Sequence, residues 1–284
     1  MTTNSRRDFF KKAGLGAAAS MAVTGGWLKT EIARAEDAVG KEAKFQLGMA
    51  SYTLRSFSQE EAIAMTKRLE LEQICFKSFH LAMDSTDEEC AAAAAACREA
   101  GMELYGGGVI SMKSEEDVNN AFRYAKAAGM SVIVGTPSPE MLPLVDVKIK
   151  ETDIRVAIHN HGPGDNVYPR PQDAYEKTAA FDSRIGLCID IGHTLRIGAD
   201  PVESILKYGD RLYDMHLKDV TKAAPDGKTC VCGRGVIDIP GVIRALIEIG
   251  YDRIASFEYE AEGSDPLPGA AQSVGYVRGV MDAV

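Results

Sequence analysis

The chain has no surplus of positive charge. Its 32 Lys and Arg stand against 41 Asp and Glu, a formal net charge of −9, so it lacks the basic surface that would track nucleic-acid phosphates, and nucleic acid is set aside as a partner. A cysteine framework is missing too. The six cysteines (Cys75, Cys90, Cys97, Cys188, Cys230, Cys232) are scattered, and 284 residues bury enough core not to need staples, so no essential disulfide is expected. Cys230-Val231-Cys232 has no second pair to complete a zinc site and reads as two loop cysteines. No glycine-rich turn follows the first strand-like run: Met49-Ala50-Ser51-Tyr52-Thr53-Leu54-Arg55 holds none, and Gly106-Gly107-Gly108 has the wrong spacing. That excludes a dinucleotide-binding Rossmann sheet and a P-loop. What remains, at 45% apolar and 26% charged residues, is the composition of a globular protein.

The apolar stretch Ala13 to Leu28 is short for a membrane span, rich in Gly and Ala, and interrupted by Thr24-Gly25-Gly26. It follows Ser5-Arg6-Arg7-Asp8-Phe9-Phe10-Lys11 and precedes Ala33-Arg34-Ala35, an A-x-A cleavage pattern. The expectation is a twin-arginine export signal over residues 1–35, with the export machinery as a partner and a periplasmic or exported location. An uncleaved N-terminal anchor is the competing expectation.

Residues 36–284 are close in length to one eight-fold barrel. No low-complexity linker divides them, apart from the helix-favouring run Ala91 to Ala96. Short β-branched or apolar runs alternate with amphipathic stretches throughout, the pattern of consecutive βα units around a parallel sheet. Eight strands are expected: Phe45–Ala50, Gln73–Lys77, Glu103–Gly106, Ser131–Gly135, Ile154–His159, Ile185–Asp190, Arg211–Leu217 and Arg253–Glu258. Helical patterns fall at Gln59–Arg68, Asp87–Ala100, Glu115–Ala128, Asp173–Phe181, Pro201–Lys207, Ile239–Ile249 and Ala270–Met281. Gly101, Gly129 and Gly250 end three of them where a left-handed residue is wanted. The expected fold is α/β, a single-domain (β/α)8 TIM barrel.

Active sites of such barrels lie at the carboxyl ends of the strands. The fifth to eighth strands deliver His159, Asp190, His216 and Glu258 to that rim, each about one βα unit after the last. Imidazole and carboxylate together suit Mn, Co, Zn or Fe better than the all-oxygen cages of Mg or Ca. A barrel mouth also needs polar strand ends for solvation, but four potential ligands on adjacent strands point to a divalent metal.

Ala157-Ile158-His159-Asn160-His161-Gly162-Pro163, Asp190-Ile191-Gly192-His193, Asp214-Met215-His216-Leu217-Lys218-Asp219, Gly233-Arg234-Gly235 and Phe257-Glu258-Tyr259-Glu260 together resemble the xylose isomerase-like barrel superfamily, often called the sugar phosphate isomerase/epimerase family. The resemblance covers essentially all of residues 36–284 and is strongest from Arg155 to Glu260. It implies a metal-dependent enzyme that abstracts a proton next to a metal-bound sugar carbonyl. The epimerase branch holds its metal with Glu, Asp, His and Glu, and the matching positions here are His159, Asp190, His216 and Glu258. The same carry-over places Asp165 and His193 beside the substrate and Lys218, Lys222 or Arg234 near its oxygens. Lys77 and His80, at the end of the second strand, look similarly placed.

His159 departs from that pattern, because a ligated imidazole replaces a basic carboxylate poorly. Glu258, His161 and His193 are then the candidate bases, with Lys218 as a further catalytic candidate. The resulting enediolate has two exits: isomerisation or epimerisation, which is the leading expectation, or expulsion of a β-substituent, the lyase alternative. A His-x-His at the fifth strand also resembles the keto-inositol dehydratases of the superfamily, and related members cleave 3-keto-glycosides by elimination. Export argues for a non-phosphorylated sugar or keto-sugar, since sugar phosphates are cytoplasmic. Phosphodiester hydrolysis, known in one branch, is opposed by the acidic charge balance. A non-catalytic sugar-binding protein is the alternative of a different class.

Overall fold

A computed structural model describes residues 43–284, and the export-signal expectation over residues 1–35 lies outside the described residues. Eight parallel strands close into a barrel: β1 (Gln46–Ala50), β2 (Gln73–Phe76), β3 (Glu103–Met112), β4 (Val132–Pro137), β5 (Arg155–His159), β6 (Ile185–Asp190), β7 (Leu212–Leu217) and β10 (Ile254–Phe257). Each pairs with its sequence neighbour, and β10 closes the ring between β7 and β1. A two-stranded antiparallel hairpin, β8 (Asp219–Val220) with β9 (Thr229–Cys230), stands outside the ring after β7.

The helices start where side chains can satisfy their free amides. Ser58 with Glu61, Thr86 with Glu89, and Ser114 with Asp117 form capping boxes on α1 (Gln59–Arg68), α2 (Asp87–Glu99) and α3 (Glu115–Ala127). The remaining α-helices are α4 (Leu142–Thr152), α5 (Pro171–Thr178), α6 (Ile191–Arg196), α7 (Pro201–Tyr208), α8 (Ile239–Glu248) and α9 (Leu267–Ala283). On α8, Ile239, Val242, Ile243 and Leu246 form a buried stripe at helical spacing against the sheet. Truncating one of them, as in Leu246→Ala, costs about 2–5 kcal/mol.

Alternation along the strands divides the core into two. The larger cluster lies between sheet and helices; a smaller one inside the barrel joins Cys75, Tyr105, Val132, Val134, Ala157 and Cys188. Three local features differ from the sequence expectation. β3 runs on through its three glycines to Met112: a Cβ at Gly107 would lie 2.9 Å from the Tyr124 ring of α3 and one at Gly108 would strike the Val134 carbonyl of β4, so glycine lets both α3 and β4 approach. α4 was not among the expected helical patterns; its Pro143 sits in the first turn, where no amide is needed. The third is α6, a short helix that begins immediately after Asp190 and was not among the expected helical patterns.

Candidate metal centre and active site

Ala157 and Cys188 face the barrel interior, so the two-residue period turns His159 and Asp190 inward above them. Asp190 divides its two oxygens between tasks. Oδ1 caps α6 by accepting from the His193 amide at 2.7 Å, and Oδ2 enters the site. Asn160 ties the two strand ends together, its Oδ1 accepting from the Asp190 amide at 3.0 Å. Beyond β5, Gly162 takes a left-handed φ of 68°, and a Cβ there would lie 2.7 Å from the His193 carbonyl. The glycine lets the loop carrying His161 cross close over His193.

One donor atom from each of His159, Asp190, His216 and Glu258 lies within 4.8 Å of all the others, and all four residues are buried. His159 Nε2 is 3.0 Å from His216 Nδ1 and 3.5 Å from Asp190 Oδ2. His216 Nδ1 is 3.2 Å from Glu258 Oε2 and 3.9 Å from Asp190 Oδ2. Donors with arms of 2.0–2.2 Å around a tetrahedral ion stand about 3.4 Å apart. Those separations, and a donor set of two imidazoles and two carboxylates, fit a divalent ion.

Charge in the cluster favours a cation. Lys218, itself buried, places Nζ 2.8 Å from Asp190 Oδ2 and 2.6 Å from Glu258 Oε2, and also pairs with Glu260. Burial disfavours its charge, yet Asp190, Glu258 and Glu260 hold its pKa well above the ordinary lysine value. Burial likewise raises Asp190 and Glu258, and the Lys218 ammonium outweighs it, leaving both carboxyls well below the usual range. One ammonium faces three carboxylates. Burial opposes protonation of His216 as well, but Glu258 and then Asp214 and Asp190 raise its pKa. His159 is the opposite case: burial pushes it down to about 3, so its lone pair is available at neutral pH.

Beside the donors is a cavity of about 190 Å³. Of the residues expected at the site, His159, His161, His193, Glu258 and Lys77 line it. Three others were not expected: Tyr52, Val109 and Glu260. Glu260 was readable, lying two residues beyond Glu258 on one face; Tyr52 and Val109 carry no chemical signature in the sequence. His161 is half-exposed, with Nδ1 3.5 Å from His159 Nδ1 and 3.6 Å from Asp165 Oδ2. Burial and the neighbouring His193 lower its pKa, so it is neutral at pH 7.

The other expected contacts point elsewhere. Lys218 does not line the cavity; it sits among its carboxylates. His80 is buried with Nε2 3.1 Å from the Phe57 carbonyl, and Asp165 Oδ1 turns its own loop by accepting from the Val167 and Tyr168 amides. Lys222 is exposed and pairs with Asp226 at 2.6 Å. Arg234 donates to Gln272 on the outside. Its Gly233-Arg234-Gly235 loop wraps around the buried Asp219 carboxylate, which accepts from the amides of Val220, Gly233, Gly235 and Ile237. The motif therefore shapes the loop beside the hairpin, and its arginine is exposed and does not line the cavity.

Residues 60–280 match the family described as xylose isomerase-like TIM barrel. The inosose dehydratase of Lacticaseibacillus casei is 25% identical over 152 residues, 48% of this chain and 51% of that relative. That of Geobacillus kaustophilus (strain HTA426) is 35% identical over 83 residues, 24% of this chain and 27% of the relative. The chain thus spans about half the length of the first of these and less of the second. Among solved structures, L-ribulose 3-epimerase superposes with a TM-score of 0.65 at 15% identity, covering 83% of this chain and 94% of that one. The probable 3-DHS dehydratase of petrobactin synthesis from Bacillus anthracis gives 0.65 at 13% identity, covering 81% and 98%. Likeness to these two structures is likeness of fold.

Proposed function

The chain belongs to the xylose isomerase-like TIM barrel family, and from that premise we propose that it is a metal-dependent enzyme of non-phosphorylated sugars. It removes a proton beside the carbonyl of a keto-sugar or 3-keto-glycoside and then expels a β-substituent. The observation that carries this reading is the make-up of the cavity wall: three imidazoles, His159, His161 and His193, line it together with Glu258, and β5 ends in an imidazole where a second basic carboxylate would be needed. Symmetric proton exchange between two carboxylates has no second carboxylate at β5. The dehydratase names of the inosose relatives point the same way.

A divalent ion held by His159, Asp190, His216 and Glu258, with Mn, Co, Zn or Fe favoured over Mg, would supply Lewis-acid polarisation of the carbonyl. The chain's own residues handle the proton. His161, neutral and on the cavity wall, accepts it from carbon. Glu258 is the weaker base, because Lys218 and His216 both draw on its Oε2. The proton taken by His161 passes to the departing oxygen directly or through His193, whose ring lies 5.9 Å away. One C–H and one C–O bond break, a C=C bond forms, and water or an alcohol leaves.

The absence of a phosphate in the substrate is supported by the lining. Its one ammonium, Lys77, is engaged with the Val109 carbonyl at 2.5 Å, and Glu258 and Glu260 repel an anion. Export by the twin-arginine route belongs to the same proposal, and fractionation of cells into cytoplasm and periplasm tests it. A second reading, return of the proton to the adjacent or the same carbon, is favoured by Asp190, His216 and Glu258 matching the epimerase ligand positions. Incubating the metal-loaded protein in D2O with ketoses, keto-inositols and 3-keto-glycosides separates the two. Elimination gives loss of water or a free alcohol; deuterium uptake without elimination favours the second reading. Sugar binding with neither outcome across the panel makes the protein a sugar-binding module.

A further inference from the structure

Beneath the four donors lies a carboxylate that none of them contacts at hydrogen-bond distance. Asp214 precedes His216 by two residues on β7, so both side chains point into the barrel, and Asp214 is fully buried. Its Oδ1 accepts from the Tyr105 hydroxyl at 3.1 Å, and the same hydroxyl oxygen is 2.6 Å from Ser256 Oγ. Tyr105 has one proton to give, so Ser256 donates to Tyr105 and Tyr105 donates to Asp214. Three strands, β3, β7 and β10, thus fix the carboxylate from across the interior.

Asp214 Oδ2 is buried without a partner, and so is His216 Nε2. They face one another at 3.9 Å, about 1 Å beyond a hydrogen bond. The other ring nitrogen, Nδ1, is the one directed at His159 Nε2 and Glu258 Oε2. Putting the proton on Nδ1 would aim it into the donor cluster and turn the Nε2 lone pair toward a buried anionic oxygen. Putting it on Nε2 satisfies the carboxylate and frees Nδ1.

We propose that Asp214 is the positioning residue of His216, accepting a hydrogen bond from its Nε2–H and so committing the Nδ1 lone pair to the ion. This rests on the four-donor reading of the metal centre. A carboxylate behind a ligating histidine fixes its tautomer and raises its basicity. Tyr105 and Ser256 hold the carboxylate in place for that task.

The test is divalent-ion affinity of the purified full chain, measured with Co and Zn by calorimetry, together with 15N spectra of the histidine rings in the zinc-loaded protein. Asp214→Leu is expected to weaken binding about 10–100-fold. Tyr105→Phe, which frees the carboxylate without removing it, is expected to weaken it less. In the zinc-loaded wild type, His216 is expected to carry its proton on Nε2. Should Asp214→Leu fail to fold, the isosteric Asp214→Asn serves with the same readouts. Wild-type affinity in the folded variant, or a proton on Nδ1 of His216, overturns the proposal while leaving the metal centre standing. A wild-type chain that binds no divalent ion overturns both.

Discussion

The rim of the barrel is divided between two kinds of strand end. β5, β6, β7 and β10 bring His159, Asp190, His216 and Glu258 together at one side, with Lys218 and Glu260 beside them. β1 to β4 end in Ala50, Phe76, Met112 and Pro137, and contribute to the cavity only Tyr52, Lys77 and Val109 from the segments at or just beyond the strands. The fold is the same on both sides; the charge is not. A parallel barrel places every strand's carboxyl end at one face, so the half that gathers the four candidate donors and the half that completes the cavity wall differ by a few residues at those ends.

That division can be broken at its strongest point first. His216→Ala is expected to abolish tight binding of a divalent ion and to lower turnover by about 10³-fold or more, read by metal analysis and steady-state kinetics. A variant that keeps its metal and its rate removes His216 from the donor set. His161→Ala sharpens the comparison, because it lies on the same side without being a donor. Turnover should fall roughly 10²–10⁴-fold with metal affinity unchanged, and an unchanged rate passes the role of base to another group.

Lys218→Met isolates the charge balance of the metal-free site. Removing one partner of a buried ion cluster costs about 3–5 kcal/mol, so the metal-free variant should melt lower than wild type and gain more from added metal. The pH dependence follows from the same carboxyls. Asp190 and Glu258 have depressed folded pKa values, with Lys218 outweighing burial, so their stabilisation is present above about pH 4 and is lost as pH falls through the folded values. Without Lys218 that loss begins at higher pH, visible in melting curves of the metal-free protein. The smallest effect belongs to the other half: Tyr52→Ala should raise KM by about 10-fold or less with metal affinity intact.

Much of this division was legible in the sequence. The alternation of strands and helices gave the barrel, and β6 falls on Ile185–Asp190 as expected. His159, Asp190, His216 and Glu258 were readable because each ends an apolar run, where alternation and barrel topology fix its direction. What escaped had physical reasons. Glycines at 106–108 look like a break and are a close approach to β4 and α3; Pro143 looks like a stop and lies in the first turn of α4. Arg234 and Lys222 looked like substrate contacts by resemblance, yet a loop's outward turn is set by contacts such as the Asp219 carboxylate with the distant amides of Gly233, Gly235 and Ile237, which no spacing rule reveals. Asp214 was visible as a letter of a motif, but its unpaired oxygen facing His216 exists only in three dimensions.

The most direct test of the divided rim is an anomalous-scattering map from a crystal of this protein grown with Mn or Zn. The account predicts one strong peak between His159, Asp190, His216 and Glu258, at about 2.0–2.2 Å from their donor atoms, and none at the ends of β1 to β4. No peak among these four residues, or a peak held by other side chains, contradicts it.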